Sequence, residues 1–224
     1  MKRIIKNKEP RRLIEYRNQF SKEELENDKL YNDFPYKDKE DCEIDEKNLR
    51  RVLLEEQGYI CCYCMSRIDC DDSKIEHFKP QTKYRKLQLD YKNLFVACKG
   101  GEGTFEQFCD TAKKDKELKK INLLENIEKN IKYRVKRRDI EIYSYDSDIE
   151  FDLNEILNLN ANILKKNRRQ KYDAVLNSLK KANFDKKFIK KTLKYFKNKN
   201  KNGEYLEFCE MIIFFLEKKL KTNE

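Results

Sequence analysis

The chain has 224 residues, carries 51 Lys and Arg against 41 Asp and Glu for a formal charge of +10, and contains 8 cysteines. That length allows one generous domain, or a small core with a sizeable extension. No apolar run approaches the ~20 residues that cross a bilayer, and Met1-Lys2-Arg3-Ile4-Ile5-Lys6 is not followed by the apolar stretch of a secretory leader, so we expect a cytoplasmic protein without membrane contact. The basic excess favours a polyanionic partner through phosphate neutralisation. Beyond Lys165 the Lys- and Asn-rich composition fits a solvated face equally well.

In chain order, Glu9-Pro10-Arg11-Arg12-Leu13-Ile14-Glu15-Tyr16 predicts a short helix with proline in its first turn. The polar stretch 21–45 reads as a wrapping segment anchored by Tyr31, Phe34, Pro35 and Tyr36. A firmer helix is predicted from an N-cap at about Asp45 through Leu49, Val52, Leu53 and Glu56 to a stop at Gly58. Lys74 to Lys79 has strand character ended by Pro80, and Tyr91 to Ala97 is a second short apolar segment. After Gly100, Gly101 and Gly103, which mark a flexible loop, Cys109 opens a polar helix through Lys120. Alternation at Ile131, Tyr133, Val135 and at Ile140, Ile142 predicts a hairpin. From Leu153 the apolar spacing is helical, ending in a helix from Glu204 to Lys221 with Met211 to Leu216 as its buried face. The expected organisation is an N-terminal arm (1–45), a core (46–120), and a hairpin with a helical extension (121–224), in the α+β class.

Cytosolic thiols are kept reduced, so the cysteines point to metal binding over disulfides. Cys61 and Cys64 form a C-x2-C pair, and Cys98 with Cys109 can complete a tetrahedral Zn2+ site if the glycine-containing insert loops out and returns. Cys42, Cys62, Cys70 and Cys209 read as small buried apolar side chains. A closed shell of four thiolates leaves no open position for catalysis, so chemistry must come from elsewhere.

Between the two cysteine pairs lies Glu76-His77, with the chain's only histidine at the end of a short strand. Neighbours on a strand point to opposite faces, so the two side chains take different roles. Imidazole can take a proton from water, while a carboxylate holds a divalent ion against a phosphate.

The order Cys-x2-Cys, Glu-His-x2-Pro, Asn93-Leu94, Cys98 and Cys109-Asp110-x2-Lys113 resembles the zinc-bearing branch of HNH nucleases, the ββα-metal fold. Lys8-Glu9-Pro10-x2-Leu13, Leu53-Leu54-Glu55-Glu56-Gln57-Gly58, Ile60 to Met65, Lys74-Ile75-Glu76-His77 and Leu89 to Asn93 resemble the HNH component of Septu-type phage defence, the PtuB-like proteins, including retron-associated members. This resemblance covers most of residues 1–115. It implies a metal-dependent endonuclease with His77 as general base, Glu76 and Asp110 as ligands of a catalytic Mg2+ or Mn2+, Asn93 orienting the base loop, and Lys113 touching phosphate. It also implies a PtuA-like ATPase partner, DNA or RNA as substrate, and in retron settings a reverse transcriptase with its nucleic-acid product. One departure stands out: Phe108 occupies the position where the family tends to place a histidine before the last cysteine. That departure keeps a second class open, a zinc-stabilised nucleic-acid-binding or adaptor module without catalysis.

Overall fold

The computed structural model describes residues 1–222, which form a mixed assembly of helices and two small antiparallel sheets. Helix α1 (Arg11–Arg17) starts directly after Pro10 and buries Leu13. The polar stretch that follows is more ordered than its composition predicts. It contains α2 (Lys22–Asn27), held by a reciprocal cap in which Ser21 accepts from the Glu24 amide and Glu24 accepts from the Ser21 amide. A 3-10 turn at Leu30–Asp33 then buries Leu30 and Tyr31. Phe34 is buried as an anchor, whereas Tyr36, predicted to act alike, is 39% exposed.

Helix α3 spans Leu49–Gln57, and its N-cap is Asn48, whose side chain accepts from the Arg50 amide. Asp45 is instead engaged by the Lys47 amide and by Arg12, which is why the predicted start was early. The helix ends as predicted at Gly58, in the left-handed conformation at φ 66°.

Strands β1 (Ser73–His77) and β2 (Leu94–Cys98) pair antiparallel, with Ser73 opposite Cys98 and His77 opposite Leu94. The buried Gln57 fastens α3 to this pair, donating to the carbonyls of Ile60 and Val96 and accepting from the Val96 amide. Helix α4 is only Cys109–Lys113, not the longer helix predicted through Lys120. Its continuation is blocked at Lys114 (φ 49°), and the next amides go to a tertiary partner: those of Lys119, Lys120 and Ile121 all donate to the fully buried Asp152 carboxylate.

The predicted hairpin is present as β3 (Lys132–Val135) and β4 (Ile140–Tyr143). Helix α5 (Ser147–Phe151) runs into a π-helical turn at Asp152–Ile156, and α6 (Asn162–Lys181), α7 (Lys186–Lys197) and α8 (Cys209–Thr222) complete the described chain. The last helix begins later than the predicted Glu204. Before it, the amide of Tyr205 donates to the Gly58 carbonyl and that of Phe208 to the Met65 carbonyl, so this segment docks on the cysteine-bearing turn instead of coiling. Met211, Ile212, Ile213 and Leu216 are buried as predicted.

Cys42 and Cys70 correct the expectation of reduced thiols: they are joined as a disulfide, with Cα atoms 5.8 Å apart. Wrapping of the arm brings the two backbones within bonding reach, which spacing in sequence does not reveal. No helix among the described residues is long and apolar enough to cross a membrane.

Asp152 carries a direct test of this packing. Asp152→Ala leaves three amides without their acceptor, and we expect a loss of at least ~3 kcal/mol in urea denaturation. Asp152→Asn, which keeps one acceptor oxygen, is expected to lose less.

Candidate functional site

The cysteine cluster is assembled by three elements. Cys61 and Cys64 sit on the turn after α3, Cys98 closes β2 and Cys109 opens α4. Their sulfurs all lie within 4.8 Å of one another, with Cys61 to Cys109 and Cys64 to Cys98 each 3.8 Å apart. Thiolates at about 2.3 Å from one ion at tetrahedral angles stand about 3.8 Å apart, so the set fits a single metal ion. The insert between Cys98 and Cys109 returns because Gly100 permits it. Its φ is 55°, and a Cβ there would meet the Phe108 carbonyl oxygen at 2.0 Å. Cys109 itself has φ 55°, an unusual conformation for a residue with a side chain. Cys62 and Cys209 are buried outside the cluster, as their small apolar reading predicts.

Strand alternation sends Glu76 and His77 to opposite faces of β1. Glu76, 3% exposed, accepts from the Tyr63 hydroxyl at 2.7 Å and pairs with the Lys113 ammonium at 2.7 Å. Burial pushes its carboxyl well above the usual range, the adjacent Asp110 pushes the same way, and Lys113 pulls it back. Lys113 is 1% exposed and also donates to the His77 carbonyl at 3.1 Å, so it is an internal strut and not the phosphate contact that the resemblance implied. Asp110 is half-buried beside Glu76. Among the described residues no third histidine, cysteine or carboxylate ligand groups with these two carboxylates; the chain has one histidine, His77, and Phe108 supplies no ligand.

His77 is 8% exposed. Its Nε2 lies 3.0 Å from the Gln88 carbonyl oxygen and its Nδ1 lies 3.0 Å from the Gln81 amide nitrogen. The Tyr31 ring stands edge-on to the imidazole at 4.4 Å between centroids. Burial lowers the imidazole pKa to about 4, so the ring is neutral at neutral pH. Asn93 braces the loop that carries these partners: its side chain accepts from the Lys79 amide at 2.7 Å and donates to the carbonyls of Lys79 and Leu87, each at 3.1 Å. Gln88 has a second task. Its fully buried side chain accepts from the Tyr31 amide and donates to the Leu25 and Asp28 carbonyls, latching the N-terminal arm over the histidine.

Four of these residues were absent from the sequence reading of the site: Tyr31 was seen only as an anchor, while Tyr63, Gln81 and Gln88 were not singled out. Gln88 acts on His77 through its backbone carbonyl, which leaves no trace in side-chain identity. Tyr63 had one available signal, its place inside the Cys61–Cys64 turn.

If the four sulfurs share an ion, Cys61→Ser or Cys109→Ser will purify without stoichiometric metal and lose the cooperative melt of the parent chain. Cys62→Ala will keep both. Elemental analysis beside thermal denaturation reads the two outcomes.

No family model matches the sequence. A protein of Escherichia coli named as the HNH endonuclease of retron Ec83 is 32% identical over 91 residues, covering 34% of this chain and 35% of that protein. The Septu protein PtuB of Bacillus thuringiensis is 36% identical over 64 residues, covering 26% of this chain and 24% of that protein. The matched segments therefore span about a third and a quarter of the relatives' lengths. Taken with the cysteine and Glu-His order, these partial matches make the chain similar to the retron HNH endonuclease and to Septu PtuB over the segment that carries those motifs.

Proposed function

We propose that the chain is a metal-dependent HNH endonuclease of the ββα-metal type that hydrolyses phosphodiester bonds in nucleic acid, acting in antiphage defence. The observation that carries this reading is that one neutral histidine and two carboxylates are carried by the same β1, β2 and α4 unit that the cysteine cluster closes, with the imidazole and Glu76 on opposite faces of β1.

In this reading the four cysteines hold a structural Zn2+, whose closed thiolate shell leaves catalysis to the neighbouring groups. Glu76 and Asp110 are the residues that would hold a Mg2+ or Mn2+ ion. Two hard oxygen donors placed side by side, one raising the other's pKa, suit such a cation. When bound, it supplies positive charge to the phosphate undergoing attack. His77 takes the proton of the attacking water at Nδ1, because its Nε2 proton is committed to the Gln88 carbonyl. Asn93 keeps the loop that carries Gln81 and Gln88 in register with the strand end.

Support for a polyanionic partner comes from α7 and the segment after it. Residues 186–201 include eight lysines and no acidic residue, and Phe188 and Tyr195 are exposed among them. Lysines neutralise phosphates, and exposed aromatic rings offer faces on which bases stack. In this reading the protein partner is a PtuA-like ATPase, with a retron reverse transcriptase and its nucleic-acid product in retron settings; similarity to the Septu and retron proteins supports both.

A second reading, a zinc-stabilised binding or adaptor module without catalysis, draws on one specific observation. Lys113 already neutralises Glu76 from within the protein at 2.7 Å.

Purified protein incubated with plasmid DNA and with tRNA, each with and without the ATPase, separates the two. The nuclease reading expects cleavage that requires Mg2+ or Mn2+, stops with chelator, and falls about 100-fold or more in His77→Ala. A folded, metal-replete His77→Ala protein that cuts at the parent rate would refute the assignment.

A further inference from the structure

His77 has no free valence in this structure, and the identity of its two partners fixes the state of the ring. The Gln88 carbonyl, 3.0 Å from Nε2, can only accept, so Nε2 carries the proton. A neutral ring then presents a lone pair at Nδ1, and the group 3.0 Å away must donate to it, which places the Gln81 amide N–H there and not its oxygen. The single atom able to take a proton is thus already occupied.

The two partners are built differently. Gln88 is fully buried, and its side chain makes three hydrogen bonds to the arm, so its carbonyl is a rigid acceptor. Gln81 lies half-buried in the turn after Pro80, and its side chain makes no other hydrogen bond among the described residues. The same loop carries Lys83 and Lys86, both exposed and without an ion pair among the described residues. An anion approaching His77 along this loop therefore meets the Gln81 amide together with exposed lysines, of which Lys83 also feels the Glu117 carboxylate.

We propose that Gln81 is a positioning residue: in the resting protein its amide holds the His77 Nδ1 lone pair, and on docking it transfers its N–H to a phosphodiester oxygen, leaving Nδ1 open to water. This rests on the nuclease reading and adds a substrate-responsive guard to it. A neutral amide suits the task because it donates to a lone pair and to a phosphate oxygen alike, and it needs only a side-chain rotation to change partner.

His77 is the only histidine in the chain, so ring-15N-histidine labelling yields one imidazole and reads each nitrogen directly. In the full-length protein without divalent ions we expect a proton on Nε2 and a hydrogen-bonded lone pair on Nδ1. Gln81→Ala should leave the proton on Nε2 and move the Nδ1 resonance toward that of an unengaged nitrogen. Saturation of the parent protein with a short DNA duplex or with tRNA should displace Nδ1 from its resting position without altering Nε2. In cleavage assays with Mn2+, Gln81→Ala should raise KM roughly tenfold, the loss of one hydrogen bond to a charged group, without lowering kcat. An Nδ1 signal insensitive to Gln81→Ala, one insensitive to both nucleic acids at saturation, or a fall in kcat at constant KM would overturn the proposal. If no form of the protein cleaves either nucleic acid, the nuclease reading fails, while the Nδ1 response to Gln81→Ala still decides whether Gln81 holds that nitrogen.

Discussion

Four sulfurs drawn within 4.8 Å of one another are the constraint on which the functional region depends. They come from the turn after α3, the end of β2 and the start of α4, so one cluster ties together three elements. Strand β1 is then held by its pairing with β2, and this brings Glu76 to α4 and His77 to the opposite side. A chain with 38% hydrophobic residues and a mean hydropathy of −1.00 has limited means to fix such an arrangement by burial alone. A metal ion held by the four sulfurs would add to what the core supplies, since its binding free energy is folding free energy.

Lys113 ties α4 to β1. Its ammonium pairs with the Glu76 carboxylate and donates to the main-chain carbonyl of His77, with almost no exposure to water. In a low-dielectric interior such a pair is costly to break from one side only, so the lysine fixes a carboxylate relative to the strand end. The same feature gives the Glu76 and Asp110 pair an internal counter-charge, which is why a cation at that position has to be argued from the donors and not from unbalanced charge.

Much of this region was legible in the sequence where chemistry is tied to residue type and spacing. The C-x2-C pair, the lone histidine after a glutamate and the cysteine just before Asp110 each name an atom that has to be somewhere definite. Legibility failed where the backbone decides. Helix α4 ends early because Asp152 claims the amides beyond it, and α8 begins late because Tyr205 and Phe208 spend theirs on the turn around Gly58 and Met65. Neither competition is visible to periodicity, which assumes that amides bond within their own segment. The Cys42–Cys70 bond escaped for a related reason: composition argued from compartment, whereas proximity came from how the arm wraps. Gln88 is the extreme case, since any residue at that position would present a backbone carbonyl.

The edge-on contact between Tyr31 and His77 has a consequence for access to the imidazole. With 8% of the histidine reachable, anything that approaches the ring on that side must first lift the 3-10 turn that carries Tyr31, together with the Gln88 latch beneath it. Each ~1.4 kcal/mol by which the shut arrangement outweighs the lifted one leaves tenfold fewer molecules accessible at any instant. Residues 25–31 thus cover one side of the imidazole, and the Gln88 side chain is what holds them there.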